Sequence, residues 1–294
     1  MTENKEMLEA IDDTDSDQTN SESEPFFDKG YVLHQLSERE RALSFYEEVI
    51  EKEPENGDAW YNKGLTLHSL NRFYEAIDAY DVAVKLNPTD SDAYYNKGVI
   101  QSELGLFADA ISSYDKAFEV NNENKDALYN KATALLQLKK YDEAIQIYDS
   151  ILAADSNDFN AAYNKALAEV QLEKYDDALK SFDRVIQIDP TSKEAWYDKG
   201  HILLKIGREG DAKEAFSNVL KLIPDLPSSW FRIGGIMAVT GQREESLKFL
   251  QKAVNAHHET KEWAKEDLDY ESLWNDPDFQ AIIEGDSDVS DQTE

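Results

Sequence analysis

One seven-residue phrase returns along this chain at a fixed interval. Asp58-Ala-Trp-Tyr-Asn-Lys-Gly64 is followed by Asp92-Ala-Tyr-Tyr-Asn-Lys-Gly98, Asp126-Ala-Leu-Tyr-Asn-Lys-Ala132, Asn160-Ala-Ala-Tyr-Asn-Lys-Ala166 and Glu194-Ala-Trp-Tyr-Asp-Lys-Gly200, each 34 residues after the last with no insertion. A strict period of about 20–50 residues constrains a fold more than any local propensity. Each copy is one supersecondary unit that buries its apolar face only against the next. A chain of 294 residues built this way need not be partitioned into globular domains, because stacked units touch only their neighbours.

The register extends over residues 23–260 and defines seven units: 23–56, 57–90, 91–124, 125–158, 159–192, 193–226 and 227–260. Each unit reads as two helices, such as Asp58 to Leu70 and Tyr74 to Leu86. Asn71, Gly105, Gly207 and Gly241 mark the turn between them, residue types that tolerate the left-handed conformation after a helix. Pro54, Pro88, Pro190 and Pro224 break the chain after the second helix. Asn56, Asp90, Asn124, Asp158 and Ser192 stand ready to cap the next first helix with a side-chain oxygen. Gly30, Gly64, Gly98, Ala132, Ala166, Gly200 and Gly234 fill the eighth place, and Ala42, Ala76, Ala110, Ala144, Ala178 and Ala212 the twentieth. Small residues there predict a close crossing of the two helices, with Tyr46, Tyr80, Tyr114, Tyr148, Phe182 and Phe216 as large fillers. Trp60, Tyr94, Trp196 and Trp230 plug the starts of first helices, so the aromatics read as core rather than as a cofactor box.

Trp60, Gly64, Leu67, Ala76, Tyr80, Ala83 and Pro88 are spaced as in the tetratricopeptide repeat signature, and the chain resembles that family across residues 23–260. The resemblance implies an all-α, right-handed α-solenoid superhelix of seven helical hairpins. The seventh unit departs from the pattern, with Ser246 and Leu250 in place of the small and aromatic residues, as a terminal unit facing solvent is expected to. Residues 261–284 leave the register but carry Trp263, Leu268, Leu273, Trp274, Phe279, Ile282 and Ile283, with Asp276-Pro277 as a helix start. They resemble the closing segments that follow such arrays, which implies capping helices. The organisation expected is thus an acidic tail over 1–24, repeats over 25–260, a cap over 261–284 and an acidic tail over 285–294. The first tail has nine acids against Lys5 alone, too polar to offset its ordering entropy, and reads as disordered, as does the second.

Composition narrows the function classes. The chain contains no Cys, which excludes disulfides, thiolate metal ligands and thiol catalysis. A net charge of -31, from 61 Asp+Glu against 30 Lys+Arg, would repel a phosphate backbone, so nucleic acid is not an expected partner. No apolar run suits a signal peptide or a membrane span, and the expected setting is cytoplasmic, without membrane contact. There is no phosphate-binding loop, no Gly-x-Ser-x-Gly elbow and no His-Glu-x-x-His. His34, His68, His201, His257 and His258 lack ligand spacing. No enzyme activity, cofactor or metal is expected.

The recurring polar residues of the first helix remain. Asn62, Asn96, Asn130 and Asn164 hold the sixth place, with Asp28 and Asp198 at the ends of the row. The resemblance implies that this row lines a concave face that binds peptides, and a carboxamide can both donate to and accept from a peptide backbone. Such bonds contribute about 1 kcal/mol each, against an association cost of roughly 4–15 kcal/mol, so side-chain contacts must add to them. Tyr61, Tyr95, Tyr129, Tyr163 and Tyr197 at the fifth place are the candidates. Chaperone co-factors of this family clamp a C-terminal carboxylate with Lys and Arg. Here the second place carries Asp58, Asp92, Asp126, Asn160 and Glu194, the fifth carries Tyr, and the sixth carries Asn or Asp rather than Arg. A carboxylate-clamp chaperone tail is therefore rejected, and a neutral or basic protein segment is expected. The alternatives are a regulatory subunit that meets its partner through the convex surface or acidic tails, and an accessory protein of an enzyme. Lys29, Lys63, Lys97, Lys131, Lys165 and Lys199 at the seventh place, with acids at the twenty-fifth, predict a ladder of ion pairs that fixes register.

Overall fold

The computed structural model describes residue 33 and residues 38–285. The expected tail over 1–24, the expected first helix of the first unit apart from Leu33, and residues 286–294 lie outside these. The described residues form helices and no strand. They begin with α1 (Arg39–Lys52), the second helix of the first unit. Six hairpins follow: α2 (Gly57–Ser69) with α3 (Phe73–Leu86), α4 (Ser91–Glu103) with α5 (Phe107–Val120), α6 (Lys125–Gln137) with α7 (Tyr141–Ala154), α8 (Phe159–Gln171) with α9 (Tyr175–Ile188), α10 (Lys193–Lys205) with α11 (Glu209–Leu222), and α12 (Pro227–Val239) with α13 (Arg243–Ala256). The chain closes with α14 (Thr260–Glu266), a 3-10 helix (Leu268–Leu273) and α15 (Pro277–Glu284).

Local chemistry accounts for the starts and stops. The side chains of Asn56, Asp90, Asn124, Asp158 and Ser192 each accept from the backbone N–H three residues on, at Ala59, Ala93, Ala127, Ala161 and Ala195. These bonds satisfy donors that have no partner inside the helix. The hairpin turn passes through the left-handed region at Asn71, Gly105, Gly207 and Gly241, as the residue types predict, and also at Lys139 (φ 58°) and Glu173 (φ 57°). Their backbones follow the repeat although their side chains disfavour it.

The described residues divide into two compact units, one up to Ile151 and one from Leu152. The core of the first contains Leu43, Leu67, Ala76, Tyr80, Ala83 and Ile100, and a satellite around Ala110 and Tyr114. A methyl group added at Gly64 would stand 2.8 Å from the Tyr80 ring, and one at Gly98 would stand 2.7 Å from the Tyr114 ring. The eighth-place glycine is therefore a slot for the twenty-fourth-place aromatic ring of its own hairpin. The second unit repeats the device with Gly200 under Phe216, at 2.8 Å.

The last hairpin solves the same problem differently. Leu250 cannot fill the slot at Gly234, and Tyr270 of the 3-10 helix enters it instead. A methyl at Gly234 would lie 2.3 Å from the Tyr270 hydroxyl, which donates to the Phe231 carbonyl at 2.7 Å. Tyr270 is wholly buried among Phe231, Leu250, Ala264 and Phe279. Arg243 grips both Asp276 and Asp278 at the start of α15. Residues 261–284 thus supply the aromatic ring that the seventh unit lacks.

Candidate functional site

Up to residue 151, the fifth-place Tyr of one hairpin meets the sixth-place Asn of the next. The Asn96 carboxamide donates to the Tyr61 hydroxyl at 3.1 Å, and the Asn130 carboxamide donates to the Tyr95 hydroxyl at 3.1 Å. These bonds lie between first helices: α2 to α4, and α4 to α6. Each Tyr ring also leans on the slot aromatic of its own hairpin, with Tyr61–Tyr80 centroids 5.8 Å apart and Tyr95–Tyr114 centroids 6.0 Å apart. Packing thus aims the hydroxyl, and the hydroxyl orients the carboxamide. Asn62 instead donates to the Asp58 carbonyl of its own helix at 2.8 Å.

Exposed carboxylates stand over this row. Burial and the nearby Asp92 push the Tyr61 hydroxyl up to about 12, and burial and Asp126 raise Tyr95. Both phenols stay protonated, so each keeps an O–H to donate while accepting from Asn. The structure brings Tyr61, Asp92 and Asn96 together, and likewise Tyr95, Asp126 and Asn130. Tyr129 is part-buried on α6 within the same row. The bonds to Tyr engage one N–H of Asn96 and one of Asn130. Among the described residues, the carboxamide oxygens of these two side chains accept no hydrogen bond, so an acceptor and a donor remain on each.

Within residues 152–294 the row changes character. The Tyr163 hydroxyl donates to the Asp198 carboxylate at 2.6 Å across α8 and α10, and Tyr163 stacks on Phe159 with centroids 6.0 Å apart. Burial raises the Asp198 carboxyl above the usual carboxylate range, and Tyr163 partly offsets this. Asn164 is part-buried beside Tyr163. Tyr197 lies 4.6 Å from the His201 ring, centroid to centroid, and 5.5 Å from that of Phe216. Burial and the Arg232 charge hold His201 down at about 4, so it is neutral. Tyr163, Tyr197 and Asp198 line an open depression of about 360 Å³, together with Glu194 and the apolar Val219, Ile223 and Leu226.

Arg232 corrects the reading of the row. It occupies the sixth place of the seventh unit, where an Arg was not expected, and it donates to Asp267 at 2.7 Å. Its charge is thereby engaged by the closing segment. The signal was in the register itself, but the phrase that revealed the repeat does not extend into the seventh unit.

The predicted lysine ladder flanks the row. Lys63 pairs with Glu47 at 3.0 Å, Lys97 with Asp81, Lys131 with Asp115 at 2.5 Å, and Lys199 with Asp183 at 2.5 Å. Each Lys reaches the second helix of the preceding hairpin. Lys63 and Lys199 also lie over the Trp60 and Trp196 rings at 5.4 Å. Lys165 lies 3.7 Å from Glu169 of its own helix. The ladder ties neighbouring hairpins together and leaves the Tyr–Asn row as the polar feature that packing does not consume.

Among the described residues no group of three or more His, Asp or Glu could hold a metal ion, and no helix is long and apolar enough to cross a membrane. Residues 27–91, 95–159 and 169–226 match models of the tetratricopeptide repeat. No curated protein matches the sequence. Among solved structures, the chain is similar to YrrB, a tetratricopeptide protein with an unusual peptide-binding site, at 24% identity and TM-score 0.53 over 63% of this chain and 95% of that one. It is also similar to the C-terminal part of a repeat-containing protein from Cytophaga hutchinsonii, at 14% identity and TM-score 0.69 over 84% of this chain and 99% of that one. A third likeness, to the structure of Naa15/Naa10 bound to HypK, has 16% identity and TM-score 0.60, and covers 92% of this chain and 40% of that one. At these identities the likenesses describe the fold.

Proposed function

Because this chain belongs to the tetratricopeptide repeat family, we propose that it is a protein–protein interaction scaffold whose row of first helices binds an extended segment of another protein. One observation carries the reading. Tyr61 and Tyr95 hold the Asn96 and Asn130 carboxamides in fixed orientation, at the 34-residue repeat of the array, with an acceptor and a donor left over on each. An extended backbone needs that kind of partner, a repeated group that offers both. Pre-orientation also lowers the ordering cost of binding. The exposed Asp58, Asp92 and Asp126 beside the row favour a neutral or basic segment. YrrB, which is similar in fold, has a peptide-binding site described as unusual, so peptide binding is in keeping with this fold.

The test begins with capture. Full-length protein is used to pull down partners, and the segment of each partner that suffices for binding is mapped. Titration of the protein with that segment, followed by the side-chain amide NMR signals of Asn62, Asn96, Asn130 and Asn164, is expected to shift those of Asn96 and Asn130 first. A bound segment that leaves all four signals in place would overturn the groove assignment and point to another surface.

A further inference from the structure

The repeat is strict enough that departures from it carry information, and several converge on one place. At the thirty-first place the units carry Glu53, Asn87, Asn121, Asp155 and Asp189, but the sixth carries Ile223. The four Asx residues fold the inter-unit turn, each side chain accepting from a backbone N–H two residues on, at Thr89, Glu123, Asn157 and Thr191. At the thirty-fourth place stand the capping residues Asn56, Asp90, Asn124, Asp158 and Ser192, and then Leu226, whose helix has no side-chain cap. At the sixth place the Asn row gives way to Asp198. The sixth unit thus gives up two local hydrogen-bonding devices, offset in part by Pro227 at the first helical position.

These departures line a single depression within residues 152–294. Val219, Ile223 and Leu226 form its apolar side, Tyr163 and Tyr197 supply rings, and Asp198 supplies charge. Ile223 and Leu226 are part-exposed there rather than buried in the core. Among the described residues no cation pairs with Asp198; its partner is the Tyr163 hydroxyl at 2.6 Å. The other charges at the rim are Lys193 and Glu194, which lie 3.8 Å from each other. Local rules broken without a packing gain are expected where a site is built.

We propose that this depression is a specificity subsite for an extended partner segment carrying an aliphatic side chain and an Arg or Lys two positions apart. This rests on the groove reading above and names the chemistry that the groove selects. Residues two apart in an extended chain point the same way, so both side chains enter one depression. The aliphatic group covers Ile223 and Leu226. The cation meets the Asp198 carboxylate, with the Tyr163 and Tyr197 rings beside its stem. A half-buried carboxylate without a cation favours a basic partner and rejects an acidic one.

Six blocked eight-residue peptides in a Gly/Ser frame test this against the full-length protein by fluorescence anisotropy. Their centres are Leu-Ser-Arg, Leu-Ser-Glu, Ser-Ser-Arg and Ser-Ser-Ser, and the first two are made in both orders. The Leu and Arg pair is expected to bind about tenfold tighter than either peptide carrying one feature, which corresponds to about 1.4 kcal/mol. Asp198→Asn, which installs the sixth-place residue of the four preceding units, is expected to erase the preference for Arg over Glu and to keep that for Leu over Ser. Leu226→Asn, which restores a capping residue, is expected to do the opposite, and far-UV melting of both variants reports their folding. Equal binding of all six peptides would sink the subsite and leave an unselective groove standing. Preferences that persist in both variants would assign the selectivity to other residues and overturn the proposal. Absence of binding by every peptide would overturn the subsite and the groove reading together.

Discussion

Lys139 and Glu173 occupy a backbone conformation that the same turn elsewhere assigns to Gly or Asn, with φ of 58° and 57°. A Cβ in the left-handed region costs roughly 1–2 kcal/mol. Lys139→Gly and Glu173→Gly are therefore each expected to stabilise the protein by about 1 kcal/mol, read as a higher denaturant midpoint. His201 provides a pH-dependent counterpart. Burial and Arg232 hold it at about 4 in the folded protein, against 6.5 when unfolded. Below 6.5 the unfolded chain takes up a proton that the folded chain refuses, so stability falls with pH between 6.5 and about 4. Thermal melts across that window are expected to drop more steeply for the native protein than for His201→Gln. An NMR titration placing His201 near 6.5 would contradict the assignment.

At the scale of the hairpin, a Gly slot under an aromatic ring sets how closely two helices cross. Gly98→Ala would bring a methyl to 2.7 Å from the Tyr114 ring, and overpacking of this kind costs about 1–3 kcal/mol. Chemical denaturation is expected to show that loss. Ala132 and Ala166 tolerate a methyl at the equivalent place, so a neutral Gly98→Ala would mean that the crossing adjusts freely. Much at this scale was legible in the sequence. Caps, turn glycines, slots and the lysine ladder follow from residue type and period, because each depends on neighbours a fixed number of residues away. The filling of the seventh slot by Tyr270 was not legible in the same way. It depends on how a segment outside the register folds back, which no period encodes. The left-handed Lys139 and Glu173 were missed for the converse reason: the backbone follows the repeat even where the side chain disfavours it.

For the molecule as a whole, the period identified the family and a face to consider, but not the state of its polar groups. The spacing predicts a row of Asn carboxamides but not what each of them bonds to. In the structure Asn96 and Asn130 each commit one donor to a Tyr hydroxyl of the preceding hairpin. Sequence spacing could not reveal this, because the contact joins the fifth place of one hairpin to the sixth of the next. The pairing turns flexible amides into oriented ones, and the binding assignment depends on that. The direct test is calorimetry of a mapped partner segment with native protein and with the Asn96→Ala, Asn130→Ala double variant. Two net hydrogen bonds of about 1 kcal/mol each correspond to a roughly thirtyfold loss of affinity, with helicity and unfolding cooperativity retained. Unchanged affinity in a folded double variant would contradict the assignment of this row as the binding surface.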